Sequence, residues 1–256
     1  MSGGSQAHLI QAADGRSYVV KFANNPQHPR ILINEWMTSK VLRHLGILTP
    51  DTVIVNFSAA FIRDNPELYI QLRSRRAPPA CGTHFGSLFA GEADQTIRSP
   101  SPKPTWARVV NLSDFCGVLV ADKWLGNTDV RQAVFVRGSG VHSPFSFLAQ
   151  MIDNGQVFDG GNWRFEDSPL RGPYLGRVFE RVRGIEAFEP WLTAVGTFPE
   201  TLLVTAFQQL PISWRGGDTE SGFAALIGRL MRRRRRVGDL ICACRSQPTN
   251  PFPNWS

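Results

Sequence analysis

Asp122-Lys123-Trp124-Leu125-Gly126-Asn127-Thr128-Asp129 is the stretch on which the reading of this chain turns. It closes an apolar run over 111–125 in which Phe115, Val118, Leu119 and Trp124 recur at helical spacing. Gly126 and Asn127 then tolerate the backbone angles of a loop. Two carboxylates and an amide therefore stand where a helix breaks. A carboxylate so placed can accept a hydroxyl proton or hold the hydroxyl in line. The plainer alternative is a polar turn, since Asn, Asp, Gly and Thr are what turns use. Strand-like runs follow over 133–137 and 147–152. The second ends in Met151-Ile152-Asp153-Asn154-Gly155, where an apolar strand delivers Asp153 into a turn, 24 residues after Asp129. An Asx turn is the bland reading of that segment; presentation of a metal-binding aspartate is the functional one.

Reading outward toward the N-terminus, strands are expected over 7–10 and 17–22, joined by the turn residues Ala13-Asp14-Gly15. Lys21 lies inside Tyr18-Val19-Val20-Lys21-Phe22, flanked by strand formers, and can reach inward to phosphate oxygens. A helix over 31–45 presents Ile31, Trp36, Val41, Leu42 and Leu45 on one broad face, with Gly46 as its cap. Glu35 on that helix is the expected partner of Lys21. Strands over 52–57 and 68–72 complete a small antiparallel sheet. Before the first strand stands Gly3-Gly4-Ser5-Gln6. Glycines there let backbone amides approach an anion closely, though a flexible terminus has the same composition.

Together these are the parts that phosphoryl transfer from ATP requires: amides and a lysine for the phosphates, oxygen ligands for Mg²⁺, and a carboxylate beside the attacking hydroxyl. They occur in the order a kinase fold needs. The HRD and DFG triplets are missing, which excludes an ordinary eukaryotic protein kinase.

The rest of the chain sets the frame. With 256 residues and 42% hydrophobic content it can bury a substantial core, and 19% charged residues is not the composition of a disordered chain. The net charge of +7 favours anionic partners without choosing among them. Part of it is the run from Arg232 to Arg236, read as a solvated helix end or a patch for acidic groups. Cys81, Cys116, Cys242 and Cys244 lack zinc-site spacing and read as free thiols. No basic leader or long apolar span appears, so a cytoplasmic protein is expected. Pro and Gly crowd the stretch from Arg75 to Pro104, read as a long connection. Further helices are expected over 177–182, 186–195, 200–208 and 222–237. The fold class expected is α+β: a bilobal, protein-kinase-like fold. Residues 1–75 form a small antiparallel-sheet N-lobe and 76–104 an inter-lobe connection. Residues 105–246 form a mainly helical C-lobe, and 247–256 an irregular tail.

At Gly126-Asn127-Thr128-Asp129, Ile152-Asp153-Asn154-Gly155 and Gly3-Gly4-Ser5-Gln6 the sequence resembles the HipA-like kinases. It is more distantly similar to type II phosphatidylinositol 4-kinases, which also carry an aspartate where Asp122 stands, seven residues before Asp129. Leu210-Pro211 through Trp214, then Gly217-Asp218 and the arginine-rich helix, strengthen the resemblance. It implies an ATP- and Mg²⁺-dependent phosphotransferase acting on a hydroxyl acceptor, with protein Ser/Thr the first candidate. Asp129 then matches the catalytic aspartate, with Asp122 as alternate base or as a residue holding the loop. Asp153 matches the Mg²⁺ ligand, Lys21 the ATP lysine paired with Glu35, and Gly3 to Gln6 the phosphate cover. The family's asparagine five residues after the catalytic aspartate is Val134 here, which cannot bind Mg²⁺; the amide of Gln132 is the nearest substitute. His84, in Gly-Thr-His-Phe-Gly, is a weaker candidate contact for nucleotide or substrate. Val134 keeps a pseudokinase or nucleotide-binding interaction module in view. The basic charge keeps a nucleic-acid-binding protein as a third reading, though no recognition motif accompanies it.

Overall fold

The computed structural model describes residues 6–89, 96–97, 106–138, 145–165, 177–247 and 250–256. Its first layer is a four-stranded antiparallel sheet in the order β1-β2-β6-β3, built from β1 (His8–Gln11), β2 (Ser17–Lys21), β3 (Thr52–Phe57) and β6 (Gly82–Leu88). Helix α1 (Arg30–His44) follows β2 and packs its apolar side into the main core beside Phe85. The opposite face of the sheet, carrying Ile10, Tyr18, Val20, Phe22 and Phe57, forms a second, smaller core with Leu68 and Ile70. That core is covered by helix α2 (Ala59–Asp64), capped by Ser58 Oγ accepting from the Phe61 N–H (3.1 Å), and by the hairpin β4 (Ile70–Leu72)–β5 (Arg75–Ala77).

Three of the four expected strands and the helix form the sheet as read, but the strand expected over 68–72 pairs with β5 in a separate hairpin, and the stretch read as connection is not all loop. Strand β6 lies inside it and pairs with β2 on one side and β3 on the other. Its glycines suggested a linker. Gly86 is instead a packing device: a Cβ there would meet the Val55 and Val53 methyls at 2.8 and 3.0 Å, so the valines of β3 fill the space its side chain would take.

The second part of the chain centres on α3 (Asp114–Leu125) and a small antiparallel sheet of β7 (Thr96–Ile97), β8 (Gln132–Arg137) and β9 (Phe147–Ile152). Helix α3 is buried on nearly every side, as its all-round apolar sequence requires. Helices α4 (Glu189–Gly196), α5 (Glu200–Gln208), α6 (Ile212–Arg215), α7 (Thr219–Arg233) and α8 (Val237–Cys244) follow; α4, α7 and α8 pack against α3, whereas α5 and α6 pack against α1 and α7. Indole N–H groups anchor the bundle. Trp124 donates to the Leu230 carbonyl (3.0 Å) and Trp36 to that of Ala206 (2.9 Å).

Three helical expectations are corrected. Residues 177–181 form turns, because Val178, Phe179 and Val182 bury together while Gly184 runs extended (φ −170°). The helix expected from 186 starts at Glu189 after a 3₁₀ turn, with Pro190 in its first turn, where its missing N–H is harmless. The helix expected to end at 237 ends at Arg233; a 3₁₀ turn of Arg234–Arg236 then leads into α8. All four cysteines are free thiols. Among the described residues no helix is long and apolar enough to cross a membrane.

Candidate active site

Four elements meet at Asp153: the end of β2, the second turn of α1, the start of β8 and the end of β9. Lys21 is nearly buried, and its ammonium Nζ donates to Glu35 Oε1 and to Asp153 Oδ1 (2.7 Å). Burial works against the charge on Lys21. The two carboxylates outweigh it and hold the pKa well above the ordinary lysine value, so the ammonium is charged at neutral pH. Glu35 Oε1 also accepts the backbone N–H of Asn154 (3.0 Å), which fixes the turn after Asp153 against α1. Gln132, exposed at the mouth, donates its amide to the other Asp153 oxygen, Oδ2 (2.8 Å). The Asp153 side chain keeps 32% of its surface open.

The backbone that presents Asp153 is unusual. Asp153 has φ 59°, in the left-handed region that short polar side chains tolerate best. Gly155 is required by contact, since a Cβ there would lie 2.7 Å from Ile31 Cγ2 on α1. Asn34, fully buried, shares its amide hydrogens among the carbonyls of Gly155 (2.8 Å), Val157 (3.0 Å) and Gly160 (2.8 Å). Its oxygen accepts from the Trp163 indole (2.9 Å). Sequence reasoning missed Asn34. Its only signal was an amide at a core-facing helix position beside Glu35.

The loop carrying Asp129 lies alongside. Gly126 ends α3 in the left-handed conformation (φ 63°). Thr128 donates both its N–H and its hydroxyl to the Gln156 carbonyl (3.2 Å each), and the Phe158 N–H donates to the Leu125 carbonyl (2.8 Å). Asn127 Oδ1 accepts from the Asp129 N–H (3.2 Å), and Asp129 Oδ1 accepts from the Val130 N–H (2.7 Å). Asp129 is exposed. Asp122 is differently placed. Arg131 engages both its oxygens, through Nη2 to Oδ1 and Nε to Oδ2 (3.1 Å), and the Asn127 amide reaches Oδ1 (3.2 Å). Arg131 was also missed; nothing in a lone arginine within a polar loop marks it.

Other expectations fall elsewhere. Gly3, Gly4 and Ser5 lie outside the described residues. Gln6 pairs with β4, donating Nε2 to the Gln71 carbonyl (2.8 Å) and accepting the Gln71 N–H (2.5 Å). Val134 is a buried β8 residue opposite Gln150. His84 is a core histidine rather than a contact residue. It is fully buried, its Nδ1 accepts the Ala23 N–H (3.0 Å), and its protonated Nε2 therefore donates to the Ala80 carbonyl (2.9 Å). The arginine run is divided. Arg233 is buried and donates to the Lys123 carbonyl (2.8 Å), Arg234 donates to that of Phe198 (3.2 Å), and Arg232, Arg235 and Arg236 are exposed. Among the described residues no three His, Cys, Asp or Glu side chains cluster as a metal cage. That is compatible with Mg²⁺, which needs one or two carboxylates and takes its other oxygens from water and phosphate.

Comparison with known proteins bears on the fold and on the family. The structure is similar to that of HipA from Shewanella oneidensis MR-1, solved in a toxin–antitoxin complex with HipB and its operator DNA. The TM-score is 0.57 at 12% sequence identity, covering 96% of this chain and 67% of that one. At that identity the likeness speaks for the fold. No curated protein matches the sequence. The family model for HipA-like kinases matches residues 1–136, more than half of the chain. The chain belongs to the HipA-like kinase family.

Proposed function

We propose that this protein is an ATP- and Mg²⁺-dependent phosphotransferase with protein Ser/Thr as the acceptor to test first. The observation that carries the reading is the Lys21 ammonium held between Glu35 and Asp153, 2.7 Å from the latter, at the mouth where Asp153 remains open. A lysine kept charged by a helix glutamate suits phosphate oxygens, and an aspartate beside it suits the metal that bridges them. In this reading the fold is bilobal. The four-stranded sheet with α1 forms the smaller lobe, the helices around α3 form the larger, and the connection follows Leu88.

Both Asp153 oxygens accept N–H donors, from Lys21 Nζ and Gln132 Nε2. The oxygens a cation could take here are those of the Asp153 carboxylate and of the Gln132 amide, the donor type a hard cation prefers, so these residues fit Mg²⁺. Asp153 would hold it, and Gln132 would join by turning its amide oxygen toward the same point. Bound there, Mg²⁺ offsets negative charge on the phosphates. Gly3, Gly4 and Ser5 are the phosphate cover in this reading, whereas the Gln6 side chain is taken up by Gln71 of β4. Asp129 orients the acceptor hydroxyl and takes its proton. Asp122, occupied by Arg131, holds the loop rather than acting as base.

The test is to incubate the protein with Mg²⁺ and labelled ATP and locate the transferred phosphate by mass spectrometry. Asp129→Asn should lower transfer by about 10²–10⁴-fold, the span expected of a positioned acid–base group, and Asp153→Asn, which removes the carboxylate that would hold the metal, should abolish it. Both should keep a cooperative thermal unfolding transition. Undiminished turnover in the two folded variants defeats the reading.

Val134 favours a second reading, a pseudokinase or nucleotide-binding module, because its buried methyls stand where the family carries a metal-binding asparagine. ATP binding without transfer or hydrolysis would decide for it. A nucleic-acid-binding role is weaker, since Arg233 and Arg234 spend their donors on the protein's own carbonyls. It would need salt-dependent binding to DNA or RNA.

A further inference from the structure

Arg131 and Gln132 are consecutive and point opposite ways, as residues entering a strand do. Gln132 reaches outward to Asp153, whereas Arg131 reaches inward and is 8% exposed. From that buried position its guanidinium touches both loops of the site. Nε and Nη2 fork onto the Asp122 carboxylate. Nη1 donates to the Asn154 side-chain oxygen (2.5 Å) and to the Ile152 carbonyl (3.3 Å). Asp122 is joined to the Asp129 loop through Asn127, and Ile152 and Asn154 are the two neighbours of Asp153.

We infer that Arg131 is a positioning residue that sets the Asp129 loop and the Asp153 turn in one register, and that Gln132 faces Asp153 because Arg131 is anchored beneath. Only a planar fork of five donors serves a carboxylate with one edge and two oxygens of another loop with the rest; a lysine supplies a single point of attachment. Burial makes this a fixed geometry, because a guanidinium removed from water must keep its partners. The inference rests on the proposed kinase reading only for its consequence, that the metal requirement depends on this brace.

The test uses the full chain and two variants. Arg131→Lys keeps the charge and loses the fork. Asn154→Ala keeps the fork on Asp122 and removes the shorter of the two bonds to the turn, leaving the one to the Ile152 carbonyl. Hydrogen exchange followed by mass spectrometry reads the bracing without activity. Amides 152–156 should exchange faster in both variants, and amides 127–130 only in Arg131→Lys. Ligand-induced thermal stabilisation reads the consequence. The Mg²⁺ concentration needed for half-maximal stabilisation by ADP should rise by about 10–100-fold in both variants, the usual effect of losing a partner that orients a metal ligand. ADP binding in chelator should stay as in the parent protein. Unchanged exchange at 152–156 in Arg131→Lys, or an unchanged Mg²⁺ requirement in a variant whose turn has loosened, overturns the inference. If the parent protein binds no nucleotide, the kinase reading fails, and the exchange measurement still judges the brace. If Arg131→Lys does not fold, Asn154→Ala carries both readouts.

Discussion

The two loops that bear the candidate carboxylates lie side by side but differ in what holds each carboxylate's own backbone. The segment from Asp153 to Trp163 is braced from outside. Four of the five described non-glycine residues with positive φ fall in it: Asp153, Phe158, Asp159 and Trp163. Such conformations cost about 1–3 kcal/mol each and persist only when the surroundings enforce them. The enforcement comes from α1, whose Asn34 and Glu35 reach the backbone of 154, 155, 157 and 160. The loop from Gly126 to Arg131 is tied to that segment by Thr128 and Arg131, but around Asp129 it is held from within, by Asn127 and by the Asp129 side chain folding onto its own successor's N–H. On the proposed reading, the segment that holds the metal at a fixed point is over-determined by distant parts of the chain, and the one that meets the acceptor has local order and an open face.

That contrast can be broken most directly at Asn34. Asn34→Ala would leave the Trp163 indole and the buried carbonyls of Gly155 and Gly160 without this partner, while the Val157 carbonyl keeps the Gly160 N–H (3.1 Å). At about 1–3 kcal/mol per unsatisfied group, the loss should reach at least about 3 kcal/mol in urea unfolding. Asn127→Ala, the corresponding cut in the locally ordered loop, should cost only about 1 kcal/mol by the same measurement, because water can replace its bonds at a half-exposed site. Equal losses would erase the distinction. The smallest effect lies outside both loops. Burial lowers the pKa of His84, so its neutral form is favoured in the folded chain. The sign follows: this contribution is complete above the unfolded histidine pKa of about 6.5 and is lost as pH falls through that value toward the folded one. The melting temperature should therefore decline on acidification from pH about 7.5 to 5.5, and His84→Gln should flatten that slope.

What the sequence made legible follows the same division. Lys21, Glu35 and Asp153 could be found because each is an ionisable residue at a recognisable place in a strand, helix or strand end, and the structure brings the three into contact. Asn34 and Arg131 could not. Asn34 matters through backbone carbonyls more than 120 positions away, and Arg131 through a turn 21 to 23 positions away, neither of which periodicity or composition encodes. Strand β6 was hidden for a different reason. Its Gly86 gives up the β-branched signature so that Val53 and Val55 of its neighbour can close over it, and only the pairing reveals the exchange.

The last helices have a bearing on how this molecule can be cut. Trp124 and the Lys123 carbonyl, both one turn before the Asp129 loop, are tied to Leu230 and Arg233 of α7. Arg229 donates to the Trp163 carbonyl (2.6 Å) at the far side of the Asp153 segment. A fragment ending before Thr219 would retain every candidate catalytic side chain and yet lose the buttress beneath two of its loops. Minimal versions of this protein must therefore be designed around the arginine-rich helix, not trimmed back to it.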